Sequence, residues 1–251
     1  MRGLWGGAEA AVTLGVVLLL LVAHQLWWTN RQAREGAERK VQALEREWGS
    51  SSSASSPPSA AAEEPGPDAS PAPRASGAGE PSGQEPTRRQ QPVTAPAPTP
   101  DWDQAYAVLR IPRIGIRVPV AEGVSKSGVL NKGYVGHYPR TAQPGEGGNF
   151  ALAGHRNTHG EPFRRINRLR GGDELVVETQ KAIYTYVVDK TLAQTSARDS
   201  GVIRAVPRSL VKAGHGYSSP GYYITLTTCT PEYTSKYRLI VWGKLQSMRP
   251  R

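Results

Sequence analysis

Between residues 49 and 100 the chain is built almost entirely from Ser, Ala, Pro, Gly and Glu, with 12 of its 21 prolines in that stretch and scarcely a large apolar side chain apart from Val93. Such a segment cannot bury enough apolar surface to offset the entropy of ordering it, so it is expected to stay disordered and to be extended by proline stiffness. Folding is thereby confined to what lies on either side of it, residues 1–48 and 101–251. As a connector it is either a generic linker or a tether that holds a folded domain away from a surface, the second suiting an enzyme whose substrates lie in a cell envelope.

The N-terminal part contains the one long apolar run, residues 10–28, reading AAVTLGVVLLLLVAHQLWW, in which His24 is the only ionisable group. At about 1.5 Å per residue it is long enough to cross a hydrocarbon layer roughly 30 Å thick, and Trp27 and Trp28 stand where an interfacial aromatic belt belongs. The small residues of a signal-peptide cleavage site are replaced here by Trp27, Trp28 and Asn30, so the run reads as an uncleaved transmembrane anchor. Residues 29–48 have helix-forming composition, with opposite charges at helical spacing such as Glu35 and Arg39, and read as a solvated juxtamembrane helix. Arg31, Arg34, Arg39 and Lys40 follow the run while only Arg2 and the amino terminus precede it, so the positive-inside rule alone would put the C-terminal bulk in the cytoplasm.

Residues 101–251 suffice for one domain with one core. Short runs rich in Val, Ile, Tyr and Thr, separated by Gly and Pro, lie at 107–111, 114–120, 149–152, 174–178, 183–188, 222–227 and 238–245. They are strand-length, and none of the domain shows a long apolar stripe at helical period. The expectation is an all-β barrel or sandwich with short helical turns near 163–169 and 207–212. The domain holds 22 basic and 11 acidic residues, scattered and without a nucleic-acid-binding motif, which favours an anionic polymer of the envelope over DNA or RNA as its neighbour.

Cys229 is the single cysteine, so an intramolecular disulfide framework and a thiolate zinc cluster are both excluded. It ends the run Tyr222-Tyr223-Ile224-Thr225-Leu226-Thr227-Thr228, directly before Thr230-Pro231. His155 ends another, Asn149-Phe150-Ala151-Leu152-Ala153-Gly154. Strand ends present side chains to solvent on a rigid backbone, and a thiol with a histidine acid or base is the best-motivated reaction class. His159 lies four residues on, but Arg156 stands where a zinc-protease helix needs Glu and the stretch reads as a loop, so metal binding is not expected. Arg238 opens the last run nine residues past the cysteine, where a hairpin would bring it beside the thiol to hold an oxyanion or substrate carbonyl. With ordinary pKa values near 8.5 and 6.5, about 3% of thiols and about a quarter of imidazoles are charged at pH 7, and the doubly charged pair is under about 1%.

The ordered set of Phe150-Ala-Leu-Ala-Gly-His155, Ile224-Thr-Leu-Thr-Thr-Cys229 and Arg238, together with 133–137, Pro144-Gly145-Glu146 and Gly172-Asp173, resembles the sortases, membrane-anchored cysteine transpeptidases of Gram-positive envelopes. One N-terminal anchor, a Pro-rich stalk, the Cys-Thr-Pro sequence and only Gln-Ser-Met-Arg-Pro-Arg after Leu245 look most like class E sortases of actinobacteria. The resemblance implies a closed eight-stranded β-barrel with short helices over 101–251, preceded by a cytoplasmic N-terminus at 1–9, the anchor, the juxtamembrane helix and the linker.

It also implies a reaction. Cys229 would attack the Thr-Gly carbonyl of a C-terminal sorting signal, of the form Leu-Ala-X-Thr-Gly, in a secreted protein. His155 would be acid for the departing amine and base for the incoming one, Arg238 would stabilise the oxyanion, and an amine of a peptidoglycan precursor would resolve the thioacyl enzyme. His137, Tyr138 and Thr228 are the expected substrate contacts, with no cofactor and no metal. The resemblance places the catalytic domain outside the cell on a single-pass membrane helix, against the local charge count. An L,D-transpeptidase is disfavoured because its His-Gly before the cysteine is replaced by Thr227-Thr228; an envelope-binding β-domain is the remaining alternative.

Overall fold

The computed structural model of the protein describes residues 2–53 and 100–251. A single helix, α1 (Arg2–Ser53), occupies the first part. The second contains β1 (Ala105–Ile111), β2 (Ile116–Glu122), β3 (Val135–His137), β4 (Gly148–Ala153), β5 (Glu174–Thr179), β6 (Ala182–Ser196), β7 (Tyr222–Thr230) and β8 (Tyr237–Pro250). Among the described residues these eight strands close into a barrel in the order β1-β2-β3-β4-β7-β8-β6-β5. Seven coincide with the apolar runs read from the sequence. The eighth, β3, is the three-residue segment Val-Gly-His, too short to show an alternation.

Alternation within the strands fills the interior. Ala107, Leu109 and Ile111 from β1, Phe150 and Leu152 from β4, Ile224 and Leu226 from β7, and Leu239 and Val241 from β8 point inward at every second position and form one core. Outside the wall, Leu192, Tyr223, Ile240 and Trp242 are covered by Val202 and Tyr217 of the long connection between β6 and β7, where the Trp242 indole donates to the Val202 carbonyl at 3.1 Å. That connection carries a 3-10 turn at Ser200–Ile203. The turn expected near 207–212 is not helical: Arg208 is bridged to Gly216, and the Ser209 hydroxyl, on the Asp199 carboxylate, accepts from the Val211 and Lys212 amides, which bends the chain there without a helical turn. The other expected turn is present as Ile166–Arg168.

The juxtamembrane segment differs most from expectation. It is continuous with the apolar run, extends through Ser53 into the first residues of the expected linker, and is docked rather than solvated. Ala33, Ala37, Val41, Leu44 and Trp48 are buried at spacings of four, four, three and four, which is one face of a helix. Val41, Leu44 and Trp48 pack on Ala105, Val108, Ala121 and Val129, so part of the outer surface of β1 and β2 is buried as well as the inner. Arg117 bonds to Glu45, and the Arg251 guanidinium lies 4.7 Å from the Trp48 ring. Three such side chains, at about 1.5–3 kcal/mol each, give the docking a stabilisation on the order of several kcal/mol before ordering costs. By contrast the side chains from Val12 to Val22, with Trp27 and Trp28, project away from the barrel as expected of a candidate membrane span. The linker expected at 49–100 lies, for residues 54–99, outside the described residues.

Candidate active site

Strand register assembles the site. β4 and β7 run parallel with Ala153 beside Thr227, and two further bonds continue the pairing: the Gly154 amide donates to the Thr227 carbonyl at 3.2 Å and the Thr228 hydroxyl to the Gly154 carbonyl at 2.8 Å. His155 and Cys229 therefore leave neighbouring strands at the same level, each two residues beyond a paired position. A Cβ at Gly154 would meet the Phe163 ring at 2.7 Å, so only glycine allows the chain to turn here with that ring beneath it. β7 and β8 are antiparallel with Cys229 directly opposite Arg238, which puts their side chains on one face of the wall.

The three residues line a common cavity of about 570 Å³, with Lys126, Tyr138 and Thr228 among its other walls. Cys229 is a free, half-buried thiol. Arg238 donates through Nη1 to the Ser235 carbonyl at 2.9 Å and to the Tyr237 carbonyl at 3.0 Å, which ties its guanidinium to the β7–β8 loop. His155 donates through Nε2 to the Asn131 side-chain oxygen at 2.9 Å, and its ring stacks on His159 with centroids 5.2 Å apart. That bond selects the Nε2–H tautomer and leaves Nδ1 as the basic atom. Burial, with the nearby His159 and Lys126, lowers the His155 pKa to about 4. The imidazole is thus neutral at pH 7, and the quarter protonated expected from an ordinary histidine falls to about one in a thousand.

The expected substrate contacts divide. Tyr138 lines the cavity, its hydroxyl 3.2 Å from that of Thr227. Thr228 also borders it but is buried, with its hydroxyl committed to the Gly154 carbonyl. His137 is not in the cavity. It is fully buried, with Nδ1 2.7 Å from Glu122 and 3.0 Å from the Tyr106 hydroxyl, Nε2 within bonding distance of Thr141 and the Ala142 carbonyl, and its ring on Phe150 at 4.8 Å. Because side chains alternate along β3 and its continuation, His137 points into the barrel while its successor Tyr138 faces the cavity.

Two residues at the site were not singled out beforehand. Asn131, on the 3-10 turn Leu130–Lys132, lies 24 positions from the histidine it bonds, and nothing local marks it. Arg156 directly follows His155 and is buried; its Nη1 donates to the Cys229 carbonyl at 3.1 Å and its Nη2 stands 3.7 Å from Glu232. An arginine directly after a strand-end histidine was the available signal.

A sortase-domain family profile matches residues 109–246. In sequence the chain is similar to sortase SrtE1 of Streptomyces coelicolor, 41% identical over 248 residues that cover 97% of this chain and 57% of that protein. It is also similar to sortase SrtE2 of the same organism, 29% identical over 242 residues, covering 94% and 79%. The chain thus spans somewhat more than half the length of the first of these relatives. In structure it is similar to sortase E1 from Streptomyces coelicolor crystallised with a tripeptide in the active site (TM-score 0.56, 52% identity, 59% of this chain and 92% of that one). Sortase E from Streptomyces avermitilis is a second such neighbour (TM-score 0.53, 43% identity, 60% and 93%).

Proposed function

Because the chain belongs to the sortase family, whose members are cysteine transpeptidases, we propose that it cleaves the Thr-Gly bond of a C-terminal sorting signal and transfers the threonyl carbonyl to an amine. The observation that carries this reading is the convergence of Cys229, His155 and Arg238 on one cavity by strand register.

Cys229 is the nucleophile. Its thiol proton passes to the neutral His155, the sulfur bonds to the scissile carbonyl carbon, and the carbonyl electrons move to oxygen, where the Arg238 guanidinium offsets the charge. An imidazolium with a pKa near 4 is a strong enough acid to hand its proton to the glycine nitrogen as the C–N bond breaks, leaving a thioester. An incoming amine then attacks the thioester as His155 takes its proton, the C–S bond breaks, and the expelled thiolate recovers that proton from His155. Tyr138 and Thr228 border the substrate's path, and Arg156 fixes the Cys229 backbone through its carbonyl.

The sorting signal is of the Leu-Ala-X-Thr-Gly form, the acceptor is an amine of a peptidoglycan precursor, and the apolar section of α1 crosses the membrane with the barrel outside the cell. The likeness to class E enzymes supports these assignments, and the apolar helix supports the anchoring. The test is incubation of the full chain in detergent with quenched Leu-Ala-X-Thr-Gly and Leu-Pro-X-Thr-Gly peptides, with and without an amine, beside Cys229→Ala. Cleavage of the first peptide at Thr-Gly, lost in the variant and diverted to transfer product by the amine, is the expected result. Equal inertness of wild type and variant toward both peptides would remove the catalytic assignment.

A further inference from the structure

The loop that follows His155 is held from outside the barrel. His159, Gly160 and Glu161 have φ values of 51°, 83° and 55°, three consecutive residues in left-handed conformation, two of them not glycine. At His159 and Glu161, which have a Cβ, this conformation is strained and persists only where the surroundings over-determine it. Here the surroundings are α1. Asn30 accepts from the Gly160 amide at 3.3 Å and donates to Glu161 Oε1 at 3.0 Å. Arg34 donates through Nε to the Gly160 carbonyl at 3.1 Å and through Nη2 to Glu161 Oε2 at 2.8 Å. Glu161 is 7% exposed, and its remaining side-chain partner is Arg164.

The same stretch of helix backs the other support of the histidine. A Cβ at Gly133 would stand 2.8 Å from the Ala33 carbonyl, so α1 lies flush against the end of the turn that carries Asn131. One helical turn thus braces two separate loops, one placing the His159 ring on His155 and the other placing the Asn131 oxygen on its Nε2.

We propose that Asn30 and Arg34 of the membrane-proximal helix are positioning residues for His155, acting through the 157–161 loop and the Asn131 turn. This inference rests on the assignment of His155 as the acid–base group. It makes α1 part of the catalytic apparatus rather than a support for it: the burial that keeps His155 neutral, and the tautomer its Nε2 bond selects, both depend on loops that α1 holds. Arg34 acts through a buried carboxylate, so removing the arginine or the carboxylate should have overlapping, non-additive effects.

The experiment uses the full chain in detergent micelles with histidine-labelled ring nitrogens, and compares wild type, the double variant Asn30→Ala with Arg34→Ala, Glu161→Gln, the triple combination, and Trp48→Ala as a control at the far end of the docked face. Readouts are the tautomer and titration of His155 by NMR, peptide cleavage, and thermal unfolding. In the double variant the His155 titration should move from about 4 toward 6.5, its tautomers should mix, and cleavage should fall at least tenfold, with the triple variant no worse than the double. Trp48→Ala should lower the unfolding temperature more while leaving the His155 titration in place. A double variant that keeps its His155 tautomer, titration and cleavage rate within twofold would overturn the proposal, as would an equal His155 shift in Trp48→Ala. If His155→Gln retained full cleavage, the acid–base assignment would fail, and the NMR comparison would still decide whether the helix positions the ring.

Discussion

Cys229 and Arg238 stand directly opposite one another on antiparallel β7 and β8, so that thiol and guanidinium rise from the same face of the barrel wall on two rigid strands. The six-residue loop between those strands is exposed, yet its Ser235 carbonyl and that of Tyr237 fix the guanidinium. The charge stabilisation proposed for Arg238 would therefore be set by strand register and a backbone fork, which a point charge on a flexible stem cannot reproduce. Arg238→Lys should lose about 10²–10³-fold in kcat with a smaller change in KM. Steady-state peptide cleavage measures this; a lysine variant within threefold of wild type would leave only a requirement for positive charge.

Acid inactivation should follow the lowered His155 pKa. Since the acting form is the neutral imidazole, activity should hold below pH 6.5 and be lost as pH falls through about 4. Stability has the same sign. The unfolded chain protonates this histidine near 6.5 and the folded chain resists until about 4, so the unfolded state binds more protons in that window and stability decreases as pH falls across it. A pH–rate profile and thermal unfolding from pH 7 to 4 would show this, and His155→Gln should flatten part of the stability slope. An acid limb centred near 6.5 would contradict the assignment.

Arg156 joins the histidine turn to the backbone of Cys229, the proposed nucleophile. Its truncation to Ala frees the Cys229 carbonyl and should lower kcat by about tenfold or more, since a displacement of roughly 1 Å can cost 10²-fold. Alkylation of Cys229 by iodoacetamide should change far less, because the thiol remains accessible. Cleavage and alkylation rates falling together would point instead to collapse of the site.

Asp199 does not line the cavity but lies one bond behind its arginine: it is buried and accepts from Thr195, the cross-strand partner of Arg238, and from Ser209 and the Leu210 amide. Burial alone would raise its pKa, but these hydrogen bonds hold it below the usual carboxylate value. Asp199→Ala should destabilise the barrel by about 2–4 kcal/mol by leaving buried donors unpaired. Wild type should lose this contribution only as pH falls below about 4, through the depressed carboxylate pKa. Urea unfolding at pH 7 and pH 3 would separate the two.

What could be read from residues alone followed the physics of each signal. Strands with two or more inward positions, such as Leu109 and Ile111 or Ile224 and Leu226, announce themselves through apolar alternation, and the hairpin logic that paired Cys229 with Arg238 needs only a loop length. The docked helix was missed because two of its five contact positions are Ala33 and Ala37, which look neutral, and because Glu and Arg between them read as solvated. Arg34 counted as membrane-proximal positive charge, although the structure engages it with Glu161 and Gly160. Asn131 and the inward turn of His137 follow from tertiary register, which no local window contains. The linker contributed a boundary and nothing more.

The continuity of α1 has a geometric corollary. A helix turns about 100° and climbs about 1.5 Å per residue, so the six residues from Trp28 to Arg34 span only about 9 Å. If the apolar section lies in a bilayer, the barrel is keyed to it like a flag to a mast, with a fixed compass bearing as well as a fixed elevation. Inserting one residue between Trp28 and Asn30 would swing the cavity by about 100° around the mast, while inserting seven would nearly restore its bearing and lift it by about 10 Å. Lengthening or shortening residues 54–99 would alter neither.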